Sequence, residues 1–192
     1  MKNIFILTLG LLLLAGCSSK SNFYQLHPNV KEGRSGHSTM RHKVIGIAEV
    51  EVSEYLDKPQ IVTRLSEGRI EVHEEERWAG TFPKNIQYVL KDNLSRMIPK
   101  YTFIAYPWEE PLSDVYRVYL TIEKFDGDTA TGTVVLKGRW SLVGQNDNVV
   151  LVSETFDYSE KGKIGLEGMV DTQSRLLERL SRRIAKKIAE KV

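Results

Sequence analysis

One thiol, four imidazoles and a few clustered carboxylates are the groups in this chain of 192 residues that could do chemistry. The histidines are His27, His37, His42 and His73, and no two stand at the His-x-x-x-His spacing that places both rings on one helix face. The sequence therefore predicts no metal site, and nothing in it calls for a cofactor. Glu74-Glu75-Glu76 reads as the solvated edge of a strand end. A hydrolytic site assembled in space would have to draw on Asp57, Glu71 or His73. No Gly-x-Ser-x-Gly elbow occurs, and Gly162-Lys163 is followed by Ile164, which ends any phosphate-loop reading. The residues propose no enzyme.

The thiol is the exception. Cys17 is the only cysteine, so no disulfide can form within the chain. Lys2 supplies a positive start, Ile4 to Leu14 an apolar run too short for a permanent span, and Leu14-Ala15-Gly16 small residues before the cysteine. The pattern resembles the lipobox of bacterial lipoproteins, which implies that residues 1–16 are a cleaved signal peptide and that Cys17 becomes the acylated first residue. Two or three acyl chains anchor stably where one would be marginal. Ser18 follows, not the aspartate that retains lipoproteins in the inner membrane. The resemblance thus implies a lipid anchor in the outer membrane, with the domain facing the periplasm.

These groups need a scaffold to position them. The net charge is +2, and +1 once Lys2 leaves with the signal, which is no nucleic-acid binder's charge. Residues 17–42 read as the lipidated cysteine and a tether, with a short strand expected over 23–26. Residues 43–192 read as one globular domain. Val44, Ile45, Ile47, Val50 and Val52 form a β-rich run, and residues 60–65 and 69–75 a hairpin across Glu67-Gly68. Alternation sets Ile61, Thr63 and Leu65 on one face, with Ile70 and Val72 inward. A helix follows over 82–98, with Thr81 as N-cap and Pro99 as its stop. A strand over 102–106 comes next, then three longer strands over 114–125, 131–143 and 149–158. Asp126-Gly127-Asp128 and residues 144–148 supply turn chemistry between them, so an antiparallel meander is expected. A second amphipathic helix covers 166–191 with a basic outer face. The fold class is α+β: a mixed, largely antiparallel sheet with two long amphipathic helices packed on it.

Four features remain unexplained by folding alone: Tyr55-Leu56-Asp57-Lys58-Pro59-Gln60-Ile61-Val62-Thr63-Arg64, the Arg77-Trp78 pair, Pro107-Trp108, and Trp140 within a strand. A turn presenting Tyr55 and Leu56 beside Pro59 suits a partner interface, and it equally suits closure of one end of the core. Trp78 and Trp140 fit the core, whereas Trp108 in a loop fits a partner, a headgroup layer or packing. The basic helix face fits a solvated stripe complementing the helix dipole, with attraction to anionic headgroups as the other reading.

In order along the chain, Tyr24-Gln25-Leu26, the Tyr-Leu-Asp-Lys-Pro-Gln-Ile-Val segment, Arg77-Trp78 and Pro107-Trp108 resemble the PqiC-like family of ABC-type transport auxiliary lipoproteins. Lys58 stands where that family more often has Arg. The resemblance implies a non-catalytic outer-membrane lipoprotein that docks a periplasmic MCE-domain protein and, through it, an inner-membrane transporter component. The traffic would be phospholipid, and a ring-shaped partner leaves a matching homo-oligomer open. Docking then falls on Tyr55, Leu56, Asp57, Lys58, Pro59, Gln60, Arg64 and Trp108. Two other readings stay open: an accessory for outer-membrane β-barrel or lipopolysaccharide assembly, and an envelope hydrolase.

Overall fold

The computed structural model describes residues 20–30, 43–108, 115–145 and 149–192. The predicted anchor at Cys17, most of the predicted tether, and the loop after Trp108 lie outside the described residues.

Among the described residues, eight strands and two helices follow in the order β1 (Asn22–Tyr24), β2 (Lys43–Val52), β3 (Gln60–Ser66), β4 (Arg69–Trp78), α1 (Phe82–Met97), β5 (Tyr101–Ala105), β6 (Tyr116–Asp128), β7 (Thr133–Val143), β8 (Val150–Lys161) and α2 (Gly165–Lys191). The class is α+β, as read from the pattern. The strands make two sheets, one of three strands in the order β1-β4-β3 and one of five in the order β5-β2-β6-β7-β8. β2 lies parallel to both β5 and β6, while β6-β7-β8 is the expected antiparallel meander.

Apolar periodicity builds the larger sheet. Val118, Leu120 and Ile122 on β6, Val134, Leu136, Trp140 and Leu142 on β7, and Val152 and Phe156 on β8 are buried, alternating with exposed neighbours. Irregularities in register at Ile47/Val50 on β2 and at Ile122/Lys124 on β6 interrupt the count. Backbone carbonyls near these bulges are taken up by helix side chains. Gln87 of α1 donates to the carbonyls of Ile47 (3.3 Å) and Ala48 (2.9 Å), and Gln173 of α2 donates to that of Phe125 (2.8 Å). Gly138 faces the bulge, where a β-carbon would collide with the carbonyl of Thr121.

Both helices bury one stripe on this sheet and pack against each other, so they share its face. Asn93 of α1 donates to the Ser181 hydroxyl of α2 at 3.1 Å. The basic stripe of α2 is neither idle nor free for lipid along its inner edge. Arg183 pairs with Glu154 at 2.8 Å, Arg175 pairs with Glu160 at 2.6 Å, and the Arg179 guanidinium sits 4.4 Å from the Tyr158 ring centroid. These contacts stitch the helix to β8, and the Arg183 guanidinium holds the Glu154 carboxyl below the usual range.

Several sequence expectations are corrected. Thr81 stands at the N-cap of α1 but its side chain makes no capping bond; instead the Asn85 amide donates to the carbonyls of Ala79 and Thr81 at 3.2 and 3.0 Å. Ile61, Val62 and Thr63 are all buried because β3 is covered on both faces, so alternation fails there. Ile70, expected inward, is exposed, and so is Leu65 across the hairpin, because the hairpin runs on past the core. Asp126-Gly127-Asp128 is strand, not turn. The reversal falls one step later, where Asp128 accepts from the N–H groups of Ala130 (2.8 Å) and Thr131 (3.2 Å), and Gly132 takes φ of 74°.

The chain before β2 is tied down early. β1 pairs parallel with the end of β4, Leu26 is fully buried, and the His27 N–H donates to the Ser174 hydroxyl at 3.2 Å.

A candidate docking groove beside the Tyr-Leu-Asp-Lys-Pro turn

The turn between β2 and β3 is built from short-range backbone bonds. Leu56 N–H donates to the Ser53 carbonyl (2.8 Å) and Asp57 N–H to that of Glu54 (3.2 Å). Ser53 fastens the turn to β6, its N–H donating to the Ile122 carbonyl (3.0 Å) and its hydroxyl to that of Glu123 (2.8 Å).

Beneath the turn lies a buried carboxylate. The side chain of Asp126 is 1% exposed and accepts from Arg64 Nε at 2.9 Å, Arg64 Nη2 at 2.7 Å and the Tyr55 hydroxyl at 2.6 Å. The Arg64 fork is bidentate, and its remaining nitrogen donates to the Glu67 carbonyl at 3.0 Å. Burial, and then the Asp126 carboxylate, push the Tyr55 phenol above its ordinary range; the bond to Asp126 raises the Arg64 guanidinium further still. Two residues nine apart in the motif are thus spent on one acid, 62 residues from Arg64 in the chain. The cluster clamps the turn and β3 of the smaller sheet onto β6 of the larger one.

The predicted docking residues therefore divide. Leu56 is buried in the core and presents no surface, which corrects its placement at an interface. Tyr55 and Arg64 are committed to Asp126. Gln60 donates to Glu74 at 2.9 Å, tying β3 to β4. Asp57, Lys58 and Pro59 are exposed at the tip of the turn. Trp78 and Trp140 are buried as expected, and Trp78 stacks on Phe82 with ring centroids 4.4 Å apart.

Asp57 opens onto a groove of about 440 Å³. Glu49 and Glu51 of β2 form one side, Thr81, Pro83 and Lys84 at the start of α1 the other, and Tyr106 closes the end. Three separate sequence features meet here: the turn, the helix that follows Arg77-Trp78, and the aromatic residue before Pro107-Trp108. Trp108 itself is half-buried, edge-on to Tyr106 at 5.5 Å and 6.0 Å from the Arg117 guanidinium. Its indole N–H has no acceptor among the described residues.

The residues a hydrolase would need do not converge. Asp57 stands at the open end of the small sheet, whereas Glu71 and His73 lie on the hairpin. His73 Nε2 is 2.8 Å from the Thr63 hydroxyl and 3.9 Å from Glu71. Among the described residues no three potential ligands are grouped to hold a metal ion, and no helix is long and apolar enough to cross a membrane. Sequence reasoning missed Asp126, because an acid followed by Gly-Asp carries the signature of a turn. The one available signal was the charge of Arg64, set in a β-rich segment with no acid of its own on that face.

Comparison with known proteins agrees with this architecture. A crystal structure of an uncharacterized protein superposes with a TM-score of 0.73 at 23% identity, covering 88% of this chain and 99% of the other. A protein from Xanthomonas campestris superposes with a TM-score of 0.67 at 15% identity, covering 86% and 93%. In sequence, the chain is 28% identical over 141 residues to the intermembrane transport lipoprotein PqiC of Escherichia coli K12, covering 72% of this chain and 73% of that one. The same figures hold for PqiC of Shigella flexneri. The profile of the ABC-type transport auxiliary lipoprotein component family matches residues 24–185, from β1 through most of α2. The chain belongs to that family of ABC-type transport auxiliary lipoproteins.

Proposed function

We propose that the protein is a non-catalytic docking lipoprotein of an intermembrane lipid transport system, held by acylated Cys17 in the periplasmic face of the outer membrane. Its partner is a periplasmic MCE-domain protein, and through it an inner-membrane transporter component. The observation that carries this reading is the match to the transport auxiliary family over residues 24–185, supported by the likeness to an intermembrane transport lipoprotein. The docking contact is the exposed Asp57-Lys58-Pro59 turn with the groove beside it, lined by Lys84 and Tyr106. A rigid turn braced from below by Leu56 and the Asp126 cluster loses little conformational freedom on binding, which favours its use as an interface.

A photo-crosslinking probe replacing Lys58 in the native host tests this. Lys58 is the better position than Tyr55, whose hydroxyl is engaged with Asp126. Recovery of an MCE-domain protein is expected. Recovery of an outer-membrane β-barrel, with no MCE-domain protein from this probe or from one at Trp108, would transfer the protein to the assembly-accessory reading.

A further inference from the structure

The strand geometry at the start of the fold limits how far the domain can stand from its membrane. β1 begins at Asn22, five positions after Cys17, so the intervening chain spans at most about 18 Å when fully extended. β1 runs parallel to β4, with Asn22 opposite Glu76. The chain therefore reaches Asn22 from the side on which the earlier residues of β4 lie. On that side Arg69–Glu75 continue beyond β1 for seven residues, about 23 Å at the usual strand rise. A leader that continued the line of β1 would therefore end no farther out than the hairpin tip.

We infer that the tip of this hairpin is a membrane-contact element, seated in the headgroup layer of the bilayer that holds the acyl chains. The inference rests on the reading of Cys17 as the acylated residue. The side chains suit that layer. Leu65 is 47% exposed and Ile70 37%, although a core would have claimed residues of these types. Arg69 stands among them, opposite Ser66, where its stem covers apolar surface while its guanidinium reaches phosphate. Glu67 and Glu71 nearby offset the cation, so the surface fits a zwitterionic phospholipid face and not a polyanionic one. The other end of the same sheet carries the turn, since Gln60 pairs with Arg77 there and Ser66 with Arg69 at the tip. Asp57-Lys58-Pro59 is accordingly turned away from the bilayer, toward the periplasmic space where a partner would arrive.

The test uses the full acylated protein in phosphatidylethanolamine and phosphatidylcholine vesicles. With Cys17 consumed by lipid, Ile70→Cys and Lys58→Cys each offer one thiol for a polarity-sensitive dye, and neither side chain lies in the core. The Ile70→Cys label is expected to shift to the blue, and to lose most of its emission when the lipids carry a quencher in the interfacial region. The Lys58→Cys label is expected to do neither. Solvent-like emission from both labels, with mass spectrometry showing Cys17 acylated, would overturn the hairpin contact and leave the anchor standing. A Cys17 that titrates as a free thiol in the host-made protein would overturn the anchor and the contact together. A labelled Glu67→Cys variant behaving like the Lys58→Cys label would likewise count against insertion of the tip.

Discussion

Leu120, Leu136, Trp140 and Phe156 of the five-stranded sheet belong to the core under a layer of two helices, whereas the three-stranded sheet meets that layer through Trp78 on Phe82 and is pinned by a buried ion pair. In the first region, stability comes from removing apolar surface from water, which is non-directional and tolerant of detail. In the second, position comes from directional bonds: Arg64 and Tyr55 on Asp126, Gln60 on Glu74, and the short ladder of β1 on β4. Burying a carboxylate is costly unless all its acceptor sites are used, so such a clamp is a poor source of net stability and a good source of a unique geometry. The difference teaches that the smaller sheet is placed, not merely packed. Placement is what the proposed docking turn at one end and the inferred membrane contact of the hairpin at the other would both require.

This contrast can be broken at either side. The largest effect is expected from Trp140→Ala, which empties a site 1% exposed between β7 and the helices. A loss of about 3–5 kcal/mol is expected in urea unfolding, with every probe of structure lost together. Asp126→Asn comes next. It strands the Arg64 guanidinium and should cost about 3 kcal/mol, while the double variant Arg64→Met/Asp126→Leu should recover much of that loss. If Asp126→Asn instead costs no more than an exposed pair such as Arg182 with Glu178, about 0–1 kcal/mol, then packing of Ile61 and Val62 places the small sheet and the contrast fails.

The smallest effect is a shift in alkaline behaviour. Burial first, and the neighbouring Glu76 next, raise the Tyr24 phenol to about 12. Because the folded value lies above the ordinary one near 10, the fold favours the neutral phenol. Its contribution is whole below about pH 10 and is lost as the pH climbs toward the folded value. Phenolate absorbance should therefore show a late-titrating tyrosine that disappears in Tyr24→Phe. Loss of the tyrosine's amplitude near pH 10 in that variant, with the late phase unchanged, would mean that β1 is not held against β4 as tightly as its ladder implies.

Much of this fold is legible in the amino-acid sequence. The helix over 82–98 follows from the stripe of Phe82, Ile86, Val89, Leu90, Leu94, Met97 and Ile98, of which the first five are buried and the last two half-buried, and its observed range differs by one residue. The meander was read from turn residues between long apolar strands, although β6 continues through Asp128 because its bulge resets the alternation. The candidate site was less legible. The motif around Tyr55 was visible as a feature, but the division of its residues between clamp, core and surface was not, because identical side chains serve any of the three roles in a β-turn.

The amino-acid sequence on its own determined the class of fold, the order and near-limits of the elements, the two apolar stripes, and the expectation of an acylated cysteine. Each of these follows from local patterns, periods of two or 3.6 and short-range turn chemistry, which need no knowledge of what lies across the fold. Only the tertiary structure decided that the strands divide into two sheets, that Leu56 faces inward, and that Arg64 and Tyr55 close on Asp126. It also set the Asp57-Lys58-Pro59 turn and the hairpin tip at opposite ends of one small sheet. Those facts depend on strand register and on contacts across 62 or more residues, such as that between Arg64 and Asp126. Burial makes such contacts decisive, and no local pattern encodes them.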